Sequence, residues 1–155
     1  MSVWKRAHAL LIQPLTIPQI IFIAGCFFLL ALSHRVDALT SAQFWAEDGR
    51  FWYAQAYQNG FFSLFNPHTG YFQTISRLSA LIAQLVPLVH APLVMNSIAL
   101  VIKIIPAVYI LTRFTSLYRR KFAFLFALLY VALPNSEEVF GNITNAHWHL
   151  ALAAC

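Results

Sequence analysis

Charge is what this sequence has least of. Only 10% of its 155 residues are Asp, Glu, Lys or Arg, against about 25% in typical soluble domains. Apolar residues reach 60%, against roughly 45–50%. A soluble core of one domain's size cannot hide that much apolar surface, so part of the solvent is expected to be lipid. Acidic side chains are scarcest: five Asp and Glu face ten Lys and Arg, a formal charge of +5. The basic residues form no stripe for nucleic acid, which is excluded as a partner. Lys5 and Arg6 make one cluster; Arg113, Arg119, Arg120 and Lys121 make another. Both abut apolar runs, as cytoplasmic flanks of membrane spans do. The two cysteines, Cys26 and Cys155, give no disulfide framework, metal spacing or redox pair. Repeats and low-complexity runs are absent as well.

What is present is a series of apolar segments. They predict an all-α, polytopic membrane protein: a single module over 1–155, with interfacial helices in its first outward loop. Spans are expected at about 15–33, 92–113 and 120–135, with the start of another at 148. Lys5–Arg6 before Ile17–Leu32 has the form of a secretory signal, with Ala31-Leu32-Ser33 as a cleavage site, and "IAGC" at 23–26 loosely matches a lipoprotein box. The apolar run continues past Cys26, which favours an uncleaved first span. The last apolar run stops at Cys155, so the chain is expected to be a fragment, or a truncated relative, of a larger membrane protein.

The outward loop, 34–90, is rich in aromatic and polar residues. Thr40-x-x-Gln43 reads as a capping box. The helix it opens is expected to run to about Gln58 and stop at Asn59-Gly60. Trp45, Trp52 and Tyr53 would lay that helix along the membrane–water boundary. With Lys5–Arg6 and Arg119–Lys121 both cytoplasmic, one crossing must lie between residues 76 and 119. Leu78–His90, short and bounded by Pro87 and Pro92, is therefore expected not to cross. The polar stretch 135–149 then faces outward, on the side of Glu47 and Asp48. The setting is an inner or plasma membrane with the N-terminus in the cytoplasm.

Glu47 and Asp48 are the candidate catalytic residues. Helical spacing puts Asp48 on one face with Trp45, Trp52 and Gln55. A carboxylate among indoles near lipid is partly desolvated, and its pKa moves toward the range of a general base. The competing reading pairs Glu47 with Arg50 and leaves Asp48 facing water. Glu137 and Glu138 form a second acidic pair. Together with Asp48 they offer oxygen ligands for a divalent cation, Mg²⁺ or Mn²⁺; alone, they read as the solvated start of a helix. Arg77 is placed to grip a phosphate, with Tyr71 and His68 nearby. Asn142, Asn145, His147 and Trp148 belong to the second outward loop, where an interfacial His can hydrogen-bond a sugar or a phosphate. Lys103, in mid-span, is functional, paired with Asn96, or snorkelling.

A first span opening into an outward loop with an early acidic residue, then juxtamembrane helices, further spans and a second polar outward loop, resembles the N-terminal part of the GT-C membrane glycosyltransferases. The matching stretches are "WAEDGRFW" and "GNITNAHW". The resemblance implies transfer of a sugar from a polyprenyl-phosphate donor at the outer membrane–water interface. It implies a base or metal ligand at Asp48 or Glu47, a second acidic position at Glu137 or Glu138, and a pocket lined by 141–148. Members are usually much longer, so further spans or a partner subunit are expected and this chain alone should be inactive. The alternative is a non-enzymatic accessory subunit, or a carrier of lipid-linked sugars. An ion-coupled transporter built on Lys103 ranks last.

Overall fold

The computed structural model describes residues 15–113, 120–133 and 141–155. Among them all regular structure is helical, beside an isolated bridge between His68 and Tyr71. Helix α1, Ile17–His34, starts where its sequence says it should. Pro18 lies in the first turn, where its missing N–H costs nothing, and Thr16 is extended. The Gln19 side chain accepts the Thr16 N–H at 3.0 Å. A short α2, Asp37–Thr40, follows.

The single helix expected from Thr40 to Gln58 is divided. Thr40 ends α2 and turns its hydroxyl back to the Val36 carbonyl at 3.1 Å, so it caps nothing. Regular structure resumes at a π-helical turn, Asp48–Tyr53, and runs into α3, Ala54–Asn59. Phe44 accounts for the break. Its ring lies 5.0 Å from that of Tyr53 and presses on Gly49, where an added Cβ would come within 3.0 Å of it. The chain folds back between them through Ala46, whose φ of +36° is left-handed. The stop at Asn59-Gly60 is where the sequence put it: Gly60, at φ +54°, ends the helix.

A 3₁₀ turn, Gly60–Phe65, leads to α4, Thr74–Ala83, and another, Leu88–His90, leads into α5, Ala91–Arg113. Helices α6, Arg120–Ala132, and α7, Ala146–Ala154, complete the described chain. Among the described residues two stretches, Ile17–His34 and Leu88–Arg113, are long and apolar enough to cross a membrane.

Helix α5 is the hub. Along it, Leu100, Ile104, Ala107 and Leu111 pack with Phe27 and Ala31 of α1 and with Ala123, Ala127 and Val131 of α6. Nearer its start, Ala91, Met95, Ala99 and Ile102 pack with Trp52, Ala56, Ala80, Ala83, Ile143 and Ala146. Among the described residues, eleven of the twenty buried apolar side chains are alanine, while Ile17, Phe22, Leu29, Leu85 and Phe126 are exposed. Small residues inside and large ones outside let backbones approach closely. Helices pack this way where the surroundings are as apolar as the side chains.

Candidate functional site

The π-helical turn places Asp48 and Trp52 on the inner side, against the turn at 142–145 that precedes α7. Such widened turns often mark functional sites. Asp48 is fully buried. Its Oδ2 accepts the Ile143 N–H at 3.2 Å; its Oδ1 accepts the Thr144 N–H at 3.0 Å and the Thr144 hydroxyl at 2.6 Å. The Trp52 Nε1–H donates to the same Thr144 hydroxyl at 2.8 Å. Ser76 of α4 fastens the turn from another side, donating to the Ile143 carbonyl at 3.1 Å. Burial pushes the Asp48 carboxyl up to about 6. The hydrogen bonds from Thr144 and Ile143 oppose that rise, and neighbouring Glu47 adds to it.

Arg77 occupies the other side of Trp52, its guanidinium carbon 5.2 Å from the ring centroid. It is fully buried and donates one bond, from Nη1 to Gln55 Oε1 at 2.7 Å. Its Nε and Nη2 have no hydrogen-bond partner among the described residues, nor has the buried Ser63 hydroxyl. An unsatisfied guanidinium is costly to bury, and its two free N–H edges suit an oxyanion.

The other candidates gather around this pair. The His68–Tyr71 turn closes through reciprocal backbone hydrogen bonds of 3.0 and 3.2 Å. It sets the His68 ring 4.6 Å from Phe51 and 5.0 Å from Trp52. Tyr71 faces His147 at 6.2 Å and accepts a hydrogen bond from Gln73 at 3.0 Å. His147 donates from Nδ1 to the Thr144 carbonyl at 2.8 Å. Trp148 leans on His147 at 4.9 Å with its own ring largely exposed. Asn142 is buried, and its side-chain oxygen accepts the Asn145 N–H at 3.0 Å, so it shapes the turn. Glu47 is half-buried, and Arg50 lies over Phe51 at 5.3 Å.

Two expectations are corrected here. Asp48 does not face water, because the 142–145 turn covers it. Trp52 is not a boundary anchor; it is 1% exposed, since its N–H and ring face are both engaged inside. Asn96 directs its amide to the carbonyls of Ala38, at 2.9 Å, and Gln43, at 3.4 Å, which ties the loop to α5. Ser76 was not singled out from the sequence, and Gln55 was read as sharing the Asp48 face, not as the partner of Arg77; Thr144 lies inside "GNITNAHW", but nothing marks a lone Thr there as a partner for Asp48.

A divalent cation fits poorly at Asp48 as placed, since both carboxylate oxygens already accept protein donors. Glu137 and Glu138 lie outside the described residues. Among the described residues no group of three or more His, Cys, Asp or Glu gathers. The chain matches no protein-family profile, no curated protein and no solved structure.

Proposed function

We propose that this chain is the N-terminal part of a GT-C type membrane glycosyltransferase that takes its sugar from a polyprenyl-phosphate donor at the outer membrane–water interface. The observation that carries the reading is the placement of Asp48 and Arg77 about one indole. Trp52 connects to the carboxylate through Thr144 and bears the guanidinium on its ring. Glycosyl transfer needs a group to accept a proton from the acceptor hydroxyl and a cation to receive the departing phosphate.

In this reading Asp48, at about 6, is ionised at neutral pH and takes the acceptor's proton as its oxygen bonds to the anomeric carbon. The carbon–oxygen bond to phosphate breaks, and the electron pair leaves on the phosphate. Nε and Nη2 of Arg77 hold the phosphate oxygens. The Thr144 hydroxyl sits where the acceptor hydroxyl has to donate, so acceptor binding displaces it. His68, Tyr71, His147 and Trp148 then border the sugar. Arg77 is the cation of this reading, and no step is routed through a divalent metal ion.

The topology agrees. Helix α4 has ten residues, about 15 Å, half of a core of roughly 30 Å, whereas the 13 described residues of α6 reach about 20 Å. If α1, α5 and α6 cross, residues 34–90 and 141–145 share a side, as the contact between Asp48 and Thr144 requires. The basic flanks then put the N-terminus in the cytoplasm, in a multi-pass protein of an inner or plasma membrane.

The test is release of polyprenyl phosphate from its sugar conjugate by the complete protein in vesicles. Asp48→Asn should lower the rate at least a hundredfold, and Glu47→Gln should do so if the base is Glu47. Normal rates from both variants would refute the catalytic assignment. One observation favours a second reading. Both Asp48 oxygens are satisfied within the fold, as they would be in a non-enzymatic accessory subunit or carrier that uses Asp48 only as a clasp. Assembly with another membrane protein, without sugar transfer, would select it.

A further inference from the structure

Helix α4 is inside out. Its inner face carries Ser76, Arg77 and Ser79 with Ala80 and Ala83, while Leu78, Ile82 and, just beyond its end, Leu85 point outward at successive turns. Leu85 is 83% exposed. An amphipathic helix lying on a soluble core does the reverse. The preceding turn behaves alike: Tyr57, Phe61, Phe62, Phe65 and Phe72 are exposed, Phe62 to 76%, while Ser63 is buried. From 51 to 102 the sequence has one formally charged residue, Arg77, and it is buried. The outer surface of this whole stretch therefore carries no formal charge.

We infer that the outward face of residues 57–89 is seated in the outer leaflet of a lipid bilayer, with the aromatic turn and α4 sunk to the depth of the acyl chains. A protein partner would be expected to meet a polar, charged rim, and this surface has no charged residue to make one. The patch also leads to the head of a candidate span, where Leu88 and Val89 are exposed; the half-buried Leu93, Val94 and Ile98 follow, and Val101, Ile105 and Tyr109 are exposed farther along it. On this inference both surfaces share one medium. The inference rests on the membrane reading proposed above and adds to it the surface that sets the depth of the site. Arg77 stands on the inner side of the helix whose outer side meets lipid.

The experiment uses nitroxide labels on single cysteines in the chain lacking Cys26 and Cys155, reconstituted in phosphatidylcholine–phosphatidylglycerol vesicles. Labels go at Phe62→Cys and Leu85→Cys, with Phe22→Cys on α1 and Ser41→Cys in the exposed loop as references. All four positions are exposed, so the fold should tolerate them. Labels at 62 and 85 should collide with oxygen far more than with a water-soluble nickel chelate, as the label at 22 does and the label at 41 does not. Nickel-dominated collisions at 62 and 85, with 22 still in lipid, overturn this inference and leave the spans standing. Exclusion of both reagents there overturns it in favour of a protein cover, a second copy or further spans. If 22 also reports water, the membrane reading itself fails.

Discussion

The Thr144 hydroxyl lies 2.6 Å from one oxygen of the Asp48 carboxylate, across 96 residues of sequence. With the two backbone N–H groups of Ile143 and Thr144, it holds the loop after α1 and the turn before α7 together. Asp48 thereby supplies three of the hydrogen bonds that fix the turn before α7 to the segment after α1. Hydrogen bonds to a charged group are worth about 1.5–3 kcal/mol each, and a buried donor left without its acceptor costs about 1–3 kcal/mol.

The pH dependence of stability follows from that burial. Asp48 titrates at about 6 in the folded chain and at an ordinary 3.8 when unfolded. The folded state binds the proton more tightly. Its contribution to stability is therefore full below pH 3.8 and is lost as pH rises through 6. A shift of about two units corresponds to roughly 3 kcal/mol. In detergent micelles, the melting temperature of the wild type minus that of Asp48→Asn should fall between pH 4 and 6 and level above it. Sugar transfer should show the opposite trend, declining below about pH 6 as the base is protonated.

Substitutions around Thr144 separate clasp from base. Thr144→Val keeps the backbone N–H bonds to Asp48 and removes the hydroxyl. It should cost about 1–2 kcal/mol of stability and move the lower limb of the rate profile to higher pH, since the Thr144 hydrogen bond lowers the carboxyl's pKa. Trp52→Phe keeps a ring beneath Arg77 but loses the bond to Thr144, at about 1 kcal/mol, whereas Trp52→Ala should cost about 3–5 kcal/mol. Chemical denaturation of each variant, read beside its rate profile, checks the order.

Asp48 was legible as the unusual residue because a carboxylate in an aromatic nest is rare in a chain this apolar. The helical class, the long apolar helices and the stop at Gly60 were legible for similar reasons: length, periodicity and a left-handed residue are local properties. The fate of Trp52 was not. An indole is as much at home at a membrane boundary as in a core, and only Thr144, 92 positions away, decides between them. The Thr40 capping signal failed because Phe44 packs on Gly49 and folds the chain back, a tertiary contact that local pattern cannot carry. Nor could the sequence foretell that α4 would turn its serines and arginine inward, because its apolar and polar faces are legible but which one meets the protein is not.

The small-residue seams predict where the bundle is least forgiving. Ala127 of α6 is fully buried in the seam that joins α6 to α1 and α5. Ala127→Leu has to separate the helices and should cost about 1–3 kcal/mol. Placing leucine at an outward position instead, Phe126→Leu, should be within about 0.5 kcal/mol of neutral. Melting of the two variants in one detergent compares them directly; equal losses would place the seam elsewhere.

Arg77 should show opposite effects on stability and on function. Its two unpartnered N–H edges destabilise the fold, so Arg77→Met, which fills similar space without charge, should leave the melting temperature unchanged or raise it. Binding of the phosphate donor should weaken at the same time. Losing one or two charge-assisted hydrogen bonds of about 1.5–3 kcal/mol corresponds to roughly a ten- to hundredfold change in Kd. Arg77→Lys keeps the charge but cannot offer the planar fork that lies over Trp52, so it should restore little of that binding. Titration of polyprenyl phosphate into the micellar protein measures the effect. A variant that melts early yet binds donor normally would make Arg77 a packing residue, held in place by Trp52 and Gln55 alone.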